Sequence, residues 1–295
     1  MDWPASPSGG DVVWDGKAFR TGAGRTRVLS CSENLTGWDD ELTDLHEIEA
    51  GLGTHPIDRA SRRNAIEMLR AMGVGANATI LEVGCSSGFF LQDLLHAFPG
   101  AEIVGADTIR TALERVGASL QGVPLLQMDL LCCPLPGGQF DAVVALNVLE
   151  HIESDSLALS KIATLLKPGG VFVVEVPQGP GLFDSYDALL RHVRRYSRAE
   201  LFAKVRDAGL NIERATSLGF VPFPLFYAVK KISRLRYGVH GERSRDYESN
   251  VRAQIRSTSR NVLLEAAFAV EERVRPLGRF LPGIRCTAVA RKPVS

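Results

Sequence analysis

His151, His192 and Tyr196 are the residues of this chain best suited to proton chemistry. An imidazole titrates near neutral pH and can take a proton from a hydroxyl or an amine. His151 stands in Asn147-Val148-Leu149-Glu150-His151-Ile152, just past an apolar run, where it could also cap or pack the helix that follows. Glu150 has a similar pair of readings, orienting an amino group or holding structure. His192 and Tyr196 belong to Arg191-His192-Val193-Arg194-Arg195-Tyr196, after the flexible Pro177-Gln178-Gly179-Pro180-Gly181. The three arginines could grip a phosphate or carboxylate through paired hydrogen bonds. The bland alternative is a solvated basic face with Tyr196 anchoring the next helix. A second set suits binding. Gly84 and Gly88 let backbone approach a ligand, and Asp107 could accept two hydroxyl hydrogen bonds at once, which suits a cis-diol.

These residues need elements to hold them. Ile80, Leu81 and Val83 read as a buried strand ending near Glu82 and Gly84. Phe89, Phe90, Leu91, Leu94, Leu95 and Phe98 then recur at helical spacing. In an open parallel sheet, a first turn of this kind lies where ligands bind. The turn is not a G-x-G-x-x-G dinucleotide fingerprint, because Ser86 and Phe89 occupy the second and third glycine positions, and it is not a G-x-x-x-x-G-K phosphate loop. Further strands are expected at 102–107, 124–128, 140–146, 171–176, 211–218 and 283–290. Helices are expected at 56–72, before Gly169 and Gly170, and from the capping box Ser197-Arg198-Ala199-Glu200 to Gly209.

The pattern E-x-G-x-x-x-G from Glu82 to Gly88, acids at Asp107 and Asp129, and the phrases FDAVVALNVLEHI and LLKPGGVFVVEVP follow one another in order. Together they resemble the class I S-adenosylmethionine (SAM) methyltransferases with a UbiG-like motif set, over roughly residues 56–218 and 284–293. The resemblance implies an α/β doubly wound, mainly parallel seven-stranded sheet whose last strand is antiparallel. It also implies SAM as cofactor. Glu82, Gly84, Cys85 and Gly88 would pack against its amino-acid end, Asp107 would serve the ribose, Thr108 would be a further cofactor contact, and Asp129 with the Leu130 backbone would hold the adenine. Asn147 is expected among the cofactor contacts. Cys85 reads as a small residue allowing close approach rather than a reactive thiol. Many relatives carry a similar H-x-R-R-Y, so His192 and Tyr196 join His151 as catalytic candidates. The Asp-Pro-Pro-Tyr type of motif is absent, which counts against methylation of adenine or glutamine amide nitrogen. No metal is expected, because no His/Asp/Glu cluster has metal-ligand spacing.

Among 295 residues, Lys plus Arg (34) equals Asp plus Glu (34), so no broad field argues for nucleic acid. Five cysteines without a C-x-x-C pair fit a reducing cytoplasm. The N-terminus lacks the apolar run of a signal peptide. Four segments are expected: an extension at 1–54, a SAM-binding core at 55–218, a helical insertion or lid at 219–283, and a closing strand at 284–295. Within the extension, Val12-Val13-Trp14 and Arg27-Val28-Leu29 could form a small hairpin. In the insertion, the apolar Phe220, Phe223, Phe226 and Tyr227 precede Lys230, Lys231, Arg234 and Arg236, with a helical stretch from about Tyr247 to Val274. A covered lid is expected there, since Pro222 and Pro224 break any helix lying flat on a bilayer. Peripheral membrane contact through 219–236 stays open. The expected function is methyl transfer to a small-molecule acceptor, oxygen first and nitrogen or carbon next, on a sugar, a lipid-linked molecule or a secondary metabolite. The rival readings are a non-catalytic SAM-binding or scaffold protein and a nicotinamide-dependent oxidoreductase.

Overall fold

The computed structural model describes residues 1–4, 11–31, 53–237 and 262–294. Short strands β1 (Val13–Trp14), β2 (Phe19–Thr21) and β3 (Gly24–Thr26) form an antiparallel ribbon. The main sheet contains β4 (Val28–Ser30), β5 (Thr79–Val83), β6 (Glu102–Asp107), β7 (Leu125–Gln127), β8 (Phe140–Leu146), β9 (Leu166–Pro177), β10 (Asn211–Leu218) and β11 (Arg285–Arg291). Its order is β10-β11-β9-β8-β5-β6-β7-β4. The pairs from β9 through β4 are parallel, whereas β11 is antiparallel to both β9 and β10.

The seven expected strands are therefore joined by an eighth. Val28 and Leu29 do not close a hairpin with Val13 and Trp14. They pair in parallel with Leu125 and Leu126 at the sheet edge. Both are 2% exposed, so their apolar burial draws the strand onto the core.

Central strands read as continuous apolar runs because helices cover both faces. Ile80, Leu81, Val143, Val144, Val173 and Val174 are fully buried. The covering helices are α1 (Pro56–Ala71), α2 (Phe89–Ala97), α3 (Arg110–Ser119), α4 (Asp155–Leu165) and α6 (Arg198–Asp207), with the short α5 (Ser185–Leu189) after β9. Helix α6 begins as expected, with the Ser197 hydroxyl accepting from the Glu200 N–H. Strand β5 lies between β6 and β8, so the chain winds outward in both directions from it. That switch point, at the carboxyl edge, is where such sheets take ligands.

The insertion supplies α7 (Phe223–Tyr237) and α8 (Val262–Arg273). Residues 238–261, including much of the stretch expected to be helical from Tyr247, lie outside the described residues. Pro224 does not prevent a helix. It occupies the first turn of α7, where a proline's missing N–H costs no intrahelical bond. Among the described residues, no helix is long and apolar enough to cross a membrane.

Candidate active site

The loop between β5 and α2 is built by backbone geometry. Gly84 and Gly88 both have φ +74°, a conformation glycine adopts without strain. A Cβ at Gly84 would lie 2.5 Å from Val148 Cγ2, and one at Gly88 would lie 2.9 Å from Val116 Cγ1. The loop thus packs down on its neighbours while its backbone faces the sheet edge. Gly84 and Cys85 donate to the Ala106 carbonyl at 2.8 and 3.1 Å, tying the loop to β6. The Cys85 side chain is buried, and its thiol pKa is raised by that burial.

Asp107 ends β6 and braces the same loop. Its two oxygens accept from the Ser86 N–H at 2.8 Å and the Ile109 N–H at 3.0 Å. Surrounding apolar groups raise its pKa, against the lowering by those backbone donors. A carboxylate has about four acceptor sites, so two backbone bonds leave capacity for a ligand's hydroxyls. The adjacent Thr108 accepts from Gln127 through its carbonyl. Asp129 accepts from the Leu131 N–H at 2.8 Å, capping a turn that begins at the buried Leu130. Asn147 leaves β8 at φ +55°, and its N–H donates to the Glu175 carbonyl at 2.8 Å.

Glu82 is 5% exposed, and its Oε2 has no hydrogen-bond partner among the described residues. Burial raises its pKa well above the usual carboxylate range. An orphaned buried acid beside a glycine loop fits a ligand that brings a cationic donor, such as an amino-acid ammonium group. The Gly84 cradle and the acids on β6 and after β7 complete a donor set that suits SAM.

The second half of the site lies beyond β8. The rings of His151 and His192 pack edge to face, with centroids 4.7 Å apart. Glu150 beside them is fully buried, and neither carboxyl oxygen has a hydrogen-bond partner among the described residues. Burial pushes its pKa up to about 8. Ligating atoms of Glu150, His151 and His192 lie within 4.8 Å of one another. Two imidazoles and a carboxylate are a donor set that divalent cations accept, so the reading from spacing that no such cluster exists is corrected. His192 arrives from another segment, which spacing along the chain cannot show.

His192 is oriented from behind. Its Nδ1 lies 3.0 Å from Asp187 Oδ1, and Asp187 also accepts from Arg195 Nε at 2.8 Å. These partners hold the Asp187 carboxyl far below its ordinary range despite its burial. An ionised carboxylate only accepts, so Nδ1 carries the proton and a neutral ring has its lone pair on Nε2.

Tyr196 belongs elsewhere. It is fully buried, with its hydroxyl 2.7 Å from Asp155 Oδ2 and 3.1 Å from the Leu149 carbonyl, and its pKa is strongly raised by burial. The geometry fits an anchor between α4 and the loop before α6. Nor do the arginines form an open anion clamp. Arg194 pairs with Asp155 at 2.6 Å and Arg195 with Asp187. Likewise Lys230 is 6% exposed, paired with Asp184 and Asp187, and Arg234 donates to the Gly181 carbonyl. The expected basic stripe is therefore partly turned inward. Sequence reading missed Asp187, whose spacing to His192 follows no helical or strand period. It also missed the buried network of Glu175 with Ser61 and Thr287, which ties α1 to β9 and β11.

A sheet of this order, with a glycine loop and acids on successive strand ends, defines a small-ligand enzyme of the doubly wound α/β class. Residues 81–174 match the family model described as "Methyltransferase domain". The chain is 26% identical over 218 residues to the ubiquinone biosynthesis O-methyltransferase of Chromobacterium violaceum, covering 68% of this chain and 87% of that protein. It is 30% identical over 154 residues to a probable SAM-dependent methyltransferase of Mycolicibacterium smegmatis, covering 52% of this chain and 59% of the relative. Its fold is similar to that of phosphoethanolamine N-methyltransferase 2 from Haemonchus contortus, with a TM-score of 0.55 at 18% identity over 88% of this chain and 59% of that one. The chain carries a methyltransferase domain over residues 81–174 and is a SAM-dependent methyltransferase similar to class I enzymes with a UbiG-like motif set. It uses SAM and acts on a small molecule.

Proposed function

We propose that this enzyme methylates an oxygen of its acceptor, and that the acceptor enters between the glycine loop and the His151–His192 pair. The observation carrying this reading is the pair itself, two imidazoles 4.7 Å apart at the carboxyl edge of the sheet. A hydroxyl must lose its proton as the new bond forms, and a positioned imidazole can take it. Asp187 presets the His192 tautomer, so no rotation is needed before proton transfer. The name of the Chromobacterium relative, an O-methyltransferase, supports oxygen over nitrogen or carbon.

Bound SAM supplies an electrophilic methyl group on its sulfonium sulfur. The chain's own residues bind and orient. We assign Glu82 and the backbone of Gly84, Cys85 and Gly88 to the amino-acid end, Asp107 and Thr108 to the ribose, and Asp129 with the Leu130 backbone to the adenine. Asn147 and Glu150 border the reacting end. We assign Phe220, which is 7% exposed, and helix α7 to a lid over the acceptor side. Tyr196 is left out of catalysis.

The test is a panel of phenolic, sugar and lipid-linked hydroxyl acceptors with SAM, read as S-adenosylhomocysteine release and the position of the added methyl by mass spectrometry. The expected product is an ether or ester, and His192→Ala should lower turnover about 10²–10⁴-fold with SAM affinity kept. Chelator should leave turnover unchanged. Loss with chelator and recovery with a divalent cation would instead assign Glu150, His151 and His192 to an ion. An N-methyl product would move the acceptor atom. SAM binding without turnover on any acceptor would favour the binding-protein reading.

A further inference from the structure

Gln178 stands one residue past the carboxyl end of β9. Its main chain bonds in two directions. The N–H donates to the Ile284 carbonyl at 2.9 Å, and the carbonyl accepts from Arg195 Nη1 at 3.3 Å. The residue thus sits between the segment entering β11 and the loop that carries His192. Its side chain is half-buried. Oε1 accepts from the Ser217 hydroxyl at 2.9 Å and from the Gly283 N–H at 3.1 Å.

Those two donors fix the amide. A backbone N–H only donates, so the atom facing Gly283 is the oxygen, and the flipped amide is excluded. With Oε1 held by Ser217 and Gly283, the planar amide turns Nε2 away from both. Its two N–H groups have no hydrogen-bond partner among the described residues. The clasp alone does not call for glutamine, because a carboxylate would accept from Ser217 and Gly283 equally well. What glutamine adds is the donor pair. The neighbouring surface includes an aromatic ring. A Cβ on Gly278 would meet both the Ser217 carbonyl at 2.7 Å and Phe220 Cε1 at 3.1 Å, so Phe220 at the root of the insertion shares this corner. A few fixed polar groups beside apolar surface are what orient a small ligand.

We propose that Gln178 is a specificity-determining residue of the acceptor side: its Nε2 N–H pair recognises a carbonyl-type oxygen of the acceptor, distinct from the hydroxyl that is methylated. A neutral donor pair selects an oxygen that accepts hydrogen bonds, and an acceptor lacking it leaves the pair unmet. The inference rests on the placing of the acceptor between the glycine loop and the histidine pair. Its test reads the Gln178 amide directly, so its failure is distinguishable from a failure of that reading, which the acceptor panel decides.

The experiment follows the side-chain amide signals of the full chain by NMR, with S-adenosylhomocysteine present and the Gln178 pair assigned through Gln178→Glu. The probes are para-hydroxyacetophenone and para-ethylphenol, which share a ring and a hydroxyl and differ in the carbonyl oxygen. The Gln178 pair should shift with the ketone and stay in place with the alkyl phenol. Gln178→Glu keeps the clasp on Ser217 and Gly283 but offers the ligand no donor. It should bind the ketone about tenfold more weakly or worse, with the alkyl phenol, SAM affinity and melting temperature unchanged. An amide pair unmoved by the ketone overturns the proposal, and this arm decides if Gln178→Glu does not fold. Equal ketone affinity in Gln178→Glu and the parent chain, or an equal loss for both probes, overturns it as well. With a panel acceptor in hand, Gln178→Glu should raise the acceptor KM and abolish discrimination against the analogue lacking the carbonyl. A merely structural role would leave that discrimination intact.

Discussion

The backbone N–H of Val193 donates to the carbonyl of Glu150 at 2.8 Å. With the bond from the Tyr196 hydroxyl to the Leu149 carbonyl, it joins the loop after β9 to the turn after β8. It places His192 against His151, and it sets both beside a buried carboxyl group that has no hydrogen-bond partner among the described residues.

Glu150 should give stability a pH dependence of a definite sign. Its pKa is pushed to about 8 in the folded chain, above its ordinary value of 4.5. Between those values the folded chain holds a proton that the unfolded chain has released. Stability is therefore full at low pH and lost as pH rises, by up to roughly 1.4 kcal/mol per unit from this group. Urea unfolding at pH 5.5 to 8 should show a falling free energy, flattened in Glu150→Gln. Equal slopes in the two proteins would mean that Glu150 finds a partner in solution.

Cofactor binding should depend on the braced loop. Asp107→Ala removes the acceptor for two backbone N–H groups as well as the proposed ribose contact, so SAM binding should weaken by about 1–3 kcal/mol. Gly84→Ala should weaken it too, through the left-handed φ and the clash with Val148. Adding Val148→Ala should recover only part, since the backbone strain stays. Calorimetry on folded variants is the check, and full affinity in Asp107→Ala would remove that residue from the site.

Tyr196→Phe is expected to cost stability rather than binding. The hydroxyl bridges Asp155 and the Leu149 carbonyl inside the core, and its loss leaves buried acceptors short of a donor, at about 1–3 kcal/mol. Thermal unfolding should shift down while SAM affinity holds. A normal melting temperature with lost turnover would return Tyr196 to the catalytic group.

Anionic liposomes should bind the chain weakly at physiological salt. A basic residue near a charged bilayer contributes about 1 kcal/mol, but Lys230 is withdrawn into an ion-paired cluster and Arg234 is held by Gly181. Lys230→Ser should therefore lower stability without changing sedimentation. Strong co-sedimentation lost in Lys231→Ser would show that the outward side of α7, with Leu225, Ile232 and Leu235, meets lipid.

Periodicity and punctuation determined the local elements. Apolar runs of five to seven residues bounded by turn signals are too short for a buried helix and rich in β-branched residues, so β5, β6 and β8 were legible together with the glycine loop and Asp107 at a strand end. Ser197 and Glu200 announced α6 because a capping box acts within one turn. What the tertiary structure decided was every relation between distant segments. Val28–Ser30 could equally have closed a hairpin, and only the apolar edge of β7 chose its place. Lys230 looked like part of a basic surface, and only the packing of α7 over Asp184 and Asp187 turned it inward. The meeting of Glu150, His151 and His192 needed the order of β8 and β9 in the sheet, because proximity across strands leaves no period in the chain. Sequence patterns report local bonding and the side that is buried; which buried groups share a charge is fixed by the fold.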